Sequence, residues 1–122
     1  MSLEGSIVFL PVSDISATLD FYGNTLGLKL AQMQGTDCCI FDTGYGHLGF
    51  VHYDDGRRPL SGPHGVCISL NLPSNQDVLD RFEELKDHVS VYREPARHPK
   101  YDVYSFFILD PDGYLVEYQK IA

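Results

Sequence analysis

Residues 7–12, Ile-Val-Phe-Leu-Pro-Val, and residues 67–72, Cys-Ile-Ser-Leu-Asn-Leu, carry the strongest fold signal in this chain of 122 residues. Both stretches have the pattern of a strand, and they begin 60 positions apart (67 − 7). The first leads into Leu19-Asp20-Phe21-Tyr22 and the second into Leu79-Asp80-Arg81-Phe82, which keeps the same offset. Because chance rarely preserves a strand face, a helix face and their spacing together, the sequence predicts two copies of one structural unit.

Each copy is predicted to contain a strand, a helix and three further strands (βαβββ). Asp14 or Ser16 caps the first helix and Gly27 ends it. Ser74, followed three residues later by Asp77, begins the second helix in a variant of the capping box. The later strands are predicted at residues 28–33, 38–42 and 47–53 in the first copy and at residues 89–94, 104–109 and 114–120 in the second.

The predicted fold class is α+β, with two tandem βαβββ modules that form a curved mixed sheet and carry their helices on its outer face. A chain of this length predicts a single domain. Within it, module one covers about residues 6–53, a polar linker covers 54–65, and module two covers about 66–120.

The charge of the chain excludes one class of partner. Nine Lys and Arg residues against 17 Asp and Glu residues give a net charge of −8. Such a charge repels phosphate backbones and anionic lipids, so we expect no nucleic acid and no membrane as partners. Three cysteines, two of them adjacent, are unsuited to a secreted disulfide scaffold and predict a reducing, cytoplasmic location.

The strand parities predict which side chains face away from the helices. In the first strand, Leu10 and its neighbours of the same parity are assigned to the helix, so Phe9 points the other way. By the same alternation Cys67 and Ser69 point away from the second helix. The far side of the sheet would then form a cup, because helices on one face leave the other face free.

The closing strands contribute the remaining wall of this cup. If Val116 faces the helix, Glu117 projects into the cup; Phe50 and His52 are placed there as well. Either Phe107 with Leu109, or Phe106 with Ile108, lines the rest, and the pattern leaves both pairs open. Phe41 is a further candidate for the wall, and Tyr101 lies in a basic segment, residues 93–101, that is read equally as a closing lip or as a solvated loop.

The pattern resembles the vicinal oxygen chelate superfamily, which includes glyoxalase I, extradiol dioxygenases and bleomycin-resistance proteins. The resemblance rests on Leu10-Pro11-Val12-Ser13-Asp14, on Phe21-Tyr22 with Leu26-Gly27, and on Asp110-Pro111-Asp112-Gly113 with Glu117. It implies paired βαβββ modules, a U-shaped site for each pair of modules, and frequent dimerisation. We therefore expect a homodimer that binds a small molecule.

The resemblance also implies where metal ligands would stand. The opening positions are occupied by Ile7 and Cys67, and the closing positions by Glu117 and by Leu48 or Phe50. Only Glu117 is an ordinary ligand for a divalent ion. No cofactor is therefore expected, and the alternative is a divalent metal in a displaced site made of His52, Cys67 and Glu117.

Three functions are compatible with these residues. The first is metal-independent binding of a cationic or aromatic compound, as in the bleomycin-resistance proteins, with Glu117 as the polar anchor. The second is a lyase, isomerase or dioxygenase-like enzyme in which Glu117 is the catalytic candidate, and the third is a regulatory partner protein with a filled cup. The residues predicted to contact the ligand are Phe9, Phe41, Phe50, His52, Cys67, Ser69, Tyr101, Phe107 and Glu117.

Overall fold

The computed structural model describes all residues, 1–122, in two compact units, residues 1–60 and residues 61–122. The first unit contains β1 (Ile7–Pro11), α1 (Ile15–Leu19), a π-helical segment (Asp20–Thr25), β2 (Lys29–Gln34), β3 (Cys38–Asp42) and β4 (His47–Val51). The second contains β5 (Cys67–Asn71), α2 (Asn75–Leu85), β6 (Ser90–Arg97), β7 (Val103–Leu109) and β8 (Leu115–Ile121). The predicted βαβββ repeat is confirmed in both units.

The two units share one sheet topology. Four strands are ordered β1-β4-β3-β2 in the first unit and β5-β8-β7-β6 in the second. In each sheet the opening strand pairs in parallel with the closing strand, and the other neighbours are antiparallel. Neither α1 nor α2 has the length and apolar character needed to cross a membrane.

The core of the first unit is a cluster of aromatic rings between the helical segment and the sheet. The Asp14 carboxylate caps α1 by accepting from the amide of Ala17 at 3.2 Å, and Gly27 ends the helical segment with φ +75°. Tyr22 is fully buried and stacks on Phe50 with ring centroids 4.4 Å apart. Burial of such large rings is the main source of stability for a unit of this size.

This packing corrects one part of the predicted cup. Phe41 and Phe50 have no exposed surface and both contact Tyr22, so they form the core beneath the helical segment and do not line the far face of the sheet. Leu48 has the same parity as Phe50, and therefore Gly49 is the closing-strand residue on the far face.

The second unit packs α2 on its sheet through Phe82, which meets Phe106 edge to face at 5.3 Å. Phe106 is fully buried and also stacks on Tyr118. The Ser74 hydroxyl oxygen caps α2 by accepting from the amide of Asp77 at 3.1 Å, as the sequence predicts. Since Phe106 lies against the helix, its neighbour Phe107 points to the opposite face, which settles the parity of β7.

The β7–β8 connection is organised by Asp110. Its Oδ1 accepts from the amides of Asp112 at 2.8 Å and Tyr114 at 2.9 Å. Gly113 has φ +85°, the left-handed conformation that a side chain disfavours. The turn predicted at residues 110–113 is therefore present, and it sets the register that brings Glu117 opposite Phe107.

Candidate functional site

One row of side chains crosses all four strands of the second sheet on the face away from α2. Ser69 on β5 is paired with Glu117 on β8, Glu117 with Phe107 on β7, and Phe107 with Arg93 on β6. Directly paired residues on neighbouring strands point to the same side of a sheet. We refer to Ser69, Glu117, Phe107 and Arg93 as the Glu117 row.

Glu117 is held in place by a single hydrogen bond. The Ser69 hydroxyl donates to its Oε1 at 2.6 Å, while Oε2 accepts no hydrogen bond within the chain. Glu117 takes part in none of the four ion pairs of the structure. The carboxylate is half-buried and therefore only partly hydrated, and it keeps one oxygen available to an external donor.

Cys67 completes a short chain of polar contacts at one end of the row. Its Sγ lies 3.7 Å from the Ser69 Oγ. The only hydroxyl proton of Ser69 is directed at Glu117, so the thiol is the donor to the Ser69 oxygen. Burial raises the pKa of the Cys67 thiol above its usual value, and the negative charge of Glu117 acts in the same direction. Cys67 is therefore a protonated thiol at neutral pH, not an activated nucleophile.

The other half of the row combines an aromatic ring and a cation. The Arg93 guanidinium carbon lies 5.2 Å from the centroid of the half-exposed Phe107 ring, within the range of a cation–π contact. Arg93 is exposed and takes part in no ion pair of the chain. The Glu117 row therefore presents a hydroxyl, a carboxylate, an aromatic face and a guanidinium in that order.

The sequence pattern places Arg93 only in a basic segment and gives no sign of its position in this row. The register of β6 against β7 shifts between Val91 and Arg93 and again between Arg93 and Ala96. Each shift interrupts the alternation of faces, so the parity of β6 cannot be read from the sequence. The one available signal was that Arg93 begins the only basic cluster in an acidic second half.

The neighbouring rows differ in polarity on the two sides of the Glu117 row. On one side the Gln119 amide nitrogen donates to Asn71 Oδ1 at 2.8 Å. On the other side Leu115 pairs with both Cys67 and Leu109. A flat ligand over Phe107 would thus have an apolar surface along one edge and amide groups along the other.

The equivalent row of the first sheet carries no charge. Phe9 occupies the position that corresponds to Ser69, and it is paired in turn with Gly49, Ile40 and Gln32. The Phe9 ring covers Gly49 so closely that an added Cβ would overlap it. Phe9 points away from the helix as predicted and keeps 46% of its surface exposed.

Two predicted residues, His52 and Tyr101, lie outside the strands of both sheets. His52 is exposed and follows the last residue of β4, where its amide donates to the Asp37 carbonyl at 2.8 Å. Tyr101 is exposed in the loop between β6 and β7 and packs against the ring of His98 at 4.9 Å. The ion pair of Arg97 with Asp102 closes the same loop.

The donor groups do not fit the divalent ion that related folds imply. No group of three or more His, Cys, Asp or Glu side chains in the chain is placed to hold a metal ion. In the second unit the contacts of Ser69 join one carboxylate, that of Glu117, and one thiol, that of Cys67. A carboxylate, a thiol and a neutral hydroxyl fall short of the three or four His, Cys or carboxylate ligands that structural and catalytic zinc centres use.

The chain contains two βαβββ units with the same strand order, which places it in the class of folds built from repeated βαβββ modules. The chain belongs to the Glyoxalase/Bleomycin resistance protein/Dioxygenase superfamily, whose sequence profile matches residues 6–118. It is 31% identical to a virulence protein of Salmonella typhimurium over 114 residues, which are 88% of this chain and 77% of that protein. It is 28% identical to lactoylglutathione lyase of Neisseria meningitidis over 120 residues, 89% of this chain and 84% of the lyase.

Solved structures show the same fold. A glyoxalase/bleomycin resistance protein/dioxygenase from Nocardioides superposes with a TM-score of 0.80 at 18% identity, over 99% of this chain and 85% of the other. Lactoylglutathione lyase from Agrobacterium tumefaciens superposes with a TM-score of 0.72 at 23% identity, over 94% of this chain and 91% of the lyase. At these identities the likeness extends to the fold alone, and function has to be argued from the site.

Proposed function

We propose that this protein binds a small organic molecule without a metal ion, and that the Glu117 row is the binding surface. The ligand class is a planar aromatic compound with a cationic or hydrogen-bond-donating group. One observation carries the proposal: Glu117 is oriented by Ser69, beside a half-exposed aromatic ring, with one carboxylate oxygen free of partners.

The comparison of the two units supports recognition over a purely structural role for Glu117. Gly49 stands at the corresponding place in the first unit, and a sheet of the same strand order forms there without any carboxylate. The sheet topology therefore does not need an acid at this position. A charge that the fold does not require, on a half-buried surface, is stabilised when a ligand supplies the opposite charge.

The chemistry of the surface favours the stated ligand class. A cation near Glu117 gains from Coulomb attraction, and a ring over Phe107 gains from stacking and from burial of apolar area. Apolar contact contributes roughly 25 cal/mol for each Å² removed from water before the costs of association. A ligand that makes both contacts is expected to bind in the micromolar range.

A thermal-shift experiment tests this function. The probe is a biphenyl that carries one para amidinium group, added to protein kept in excess EDTA. We expect a dose-dependent rise in Tm for the parent and a much smaller rise for Glu117→Gln, since mass action stabilises the form that binds. Glu94→Gln is the matched control. This substitution removes the same charge from the same sheet, but Glu94 lines the groove on the α2 side and not the Glu117 row.

Equal shifts for the parent and Glu117→Gln would overturn the proposed anchor. A shift that needs a divalent ion and disappears in EDTA would overturn metal independence. No shift at any probe concentration would count against binding at this row.

A second candidate function comes from the relatives named lactoylglutathione lyase, one of which is 28% identical over 89% of this chain. The alternative to metal-independent binding is therefore a metal-dependent lyase activity. The donor set argues against it, since the chain offers no group of three ionisable ligands to a metal. Turnover of lactoylglutathione after addition of zinc or nickel, lost again in EDTA, would favour the lyase over the binding protein.

We also propose that the protein is a cytoplasmic homodimer. All three cysteines are free and two are buried, which is compatible with a reducing compartment. Ile7, Val8 and Phe9 on the edge strand β1 each expose more than two-fifths of their surface, which suits contact with a second copy. Sedimentation velocity at micromolar concentration tests the dimer, and a single monomer species would contradict it.

A further inference from the structure

We infer that the ligand of the Glu117 row has two ends, a cationic or donor group that binds Glu117 and an anionic group that binds Arg93, joined by a flat apolar segment that packs against the exposed part of Phe107. This inference rests on the proposed function and narrows its ligand class. It assigns Arg93 as a residue that determines specificity.

The availability of Arg93 is the first reason. Arg57, Arg81 and Arg97 each pair with a carboxylate that lies close in the sequence. Arg93 instead lies over the Phe107 ring and pairs with no acid. A guanidinium presents several donors in a planar fork that suits a carboxylate or a phosphate, and this capacity of Arg93 is unused within the chain.

The strand geometry around Arg93 is the second reason. Register shifts occur on both sides of Arg93 in β6, and such irregularities redirect a side chain relative to a regular strand. The two irregularities leave Arg93 paired with Phe107, in line with Ser69 and Glu117. Strand β6 is therefore irregular at Arg93, the residue that it contributes to the Glu117 row.

The order of the groups along the row is the third reason. Glu117 and Arg93 are on β8 and β6, with β7 between them. Two interstrand steps place their backbones about 10 Å apart. Phe107 occupies the gap, so the opposite charges do not neutralise each other and an apolar surface lies between them. A molecule with a cationic end, a flat apolar segment and an anionic end matches this order of groups along the row.

The first unit supplies an internal comparison. Its corresponding row, Phe9, Gly49, Ile40 and Gln32, contains neither the acid nor the base. Both charges therefore occur in the same copy of the repeat and in the same row. A surface of this kind recognises a molecule with two complementary ends better than one with a single charge.

The test compares three biphenyl probes by isothermal titration in EDTA: one with an amidinium group, one with a carboxylate, and one with both at opposite para ends. We expect the probe with both groups to bind about tenfold more tightly than the amidine alone, the gain typical of one added charge-assisted contact. Arg93→Gln should abolish this advantage, so that the probe with both groups and the amidine alone bind the variant with equal affinity. Arg93→Lys should retain part of it, and Arg58→Gln, an exposed arginine in the linker, should retain all of it.

The outcomes separate this inference from the proposed function. If the amidine binds through Glu117 but the carboxylate adds no affinity, the two-ended ligand is wrong and the proposed function stands. The two-ended ligand is also wrong if Arg93→Gln weakens the amidine and the double-ended probe equally. If none of the probes binds, both proposals are overturned.

Discussion

Glu117 illustrates how a single residue changes the chemistry of a duplicated sheet. In the first unit the corresponding residue, Gly49, is covered by Phe9. In the second unit a serine replaces the phenylalanine and a carboxylate replaces the glycine, so the same two positions form a hydrogen bond at 2.6 Å. These two differences convert an apolar surface into one with a defined acceptor.

The acidity of the Cys67 thiol provides a test of the local electrostatics. Because burial and the Glu117 charge raise its pKa, alkylation by iodoacetamide at neutral pH should be slower than for free cysteine and should rise with pH above the usual thiol pKa. Glu117→Gln removes the negative charge, which lowers the pKa of the Cys67 thiol and should speed alkylation at a fixed pH. Mass spectrometry assigns the modified residue.

Cys38 and Cys39 are internal controls in that experiment. Both are buried, and burial raises the pKa of Cys39 to about 11. They should remain unmodified while the protein is folded. An alkylation rate of Cys67 that is the same in the parent and in Glu117→Gln would contradict the described coupling.

The contact of Phe9 with Gly49 predicts a coupled pair of substitutions. Gly49→Ala alone should destabilise the protein by about 1–2 kcal/mol, because the added methyl displaces the Phe9 ring. In a Phe9→Ala background the same change should cost less, because only Ile7 Cγ2, 3.2 Å from the added methyl group, remains in close contact with it. Urea unfolding of the four proteins measures the coupling, and additive effects would contradict the contact.

At the level of secondary-structure elements, the turn between β7 and β8 controls the position of the Glu117 row. Asp110→Ala leaves two amides, those of Asp112 and Tyr114, without their acceptor and should lower the free energy of unfolding by about 2–3 kcal/mol. Asp110→Asn keeps an acceptor oxygen and should cost less. Urea denaturation followed by tyrosine fluorescence measures the stability of both variants. An Asp110→Ala protein more stable than Asp110→Asn would contradict this prediction.

The elements were largely predictable from the sequence because the repeat supplied each of them twice. The strand stretches, the caps at Asp14 and Ser74 and the turn at residues 110–113 all depend on local patterns that the structure confirms. The face of a strand was predictable only where polar and apolar residues alternate. Phe106 and Phe107 are alike in polarity, so only contact with Phe82 on α2 distinguishes them.

The site was less predictable than the fold for two physical reasons. Phe50 was assigned to the cup together with His52, which has the same parity, whereas its ring is needed beneath the helix to stack on Tyr22. Gly49, which does face away from the helix, has no side chain to signal that face. Arg93 was missed because the irregular pairing of β6 breaks the alternation on which such an assignment depends.

At the level of the whole chain, the two units share their strand order but differ in surface chemistry. The first presents an uncharged row at Phe9 and Gly49, and the second presents acid, ring and base at Glu117, Phe107 and Arg93. Membership of the superfamily explains the shared framework. The charged row in one copy explains why we assign binding to the second unit.

Metal-independent binding at Glu117 is tested most directly by isothermal titration of EDTA-treated protein with the biphenyl amidine. We predict saturable binding in the parent and an affinity about tenfold lower for Glu117→Gln, with Glu94→Gln equal to the parent. Binding that appears only after a divalent ion is restored, or that is equally tight in Glu117→Gln, would contradict this assignment.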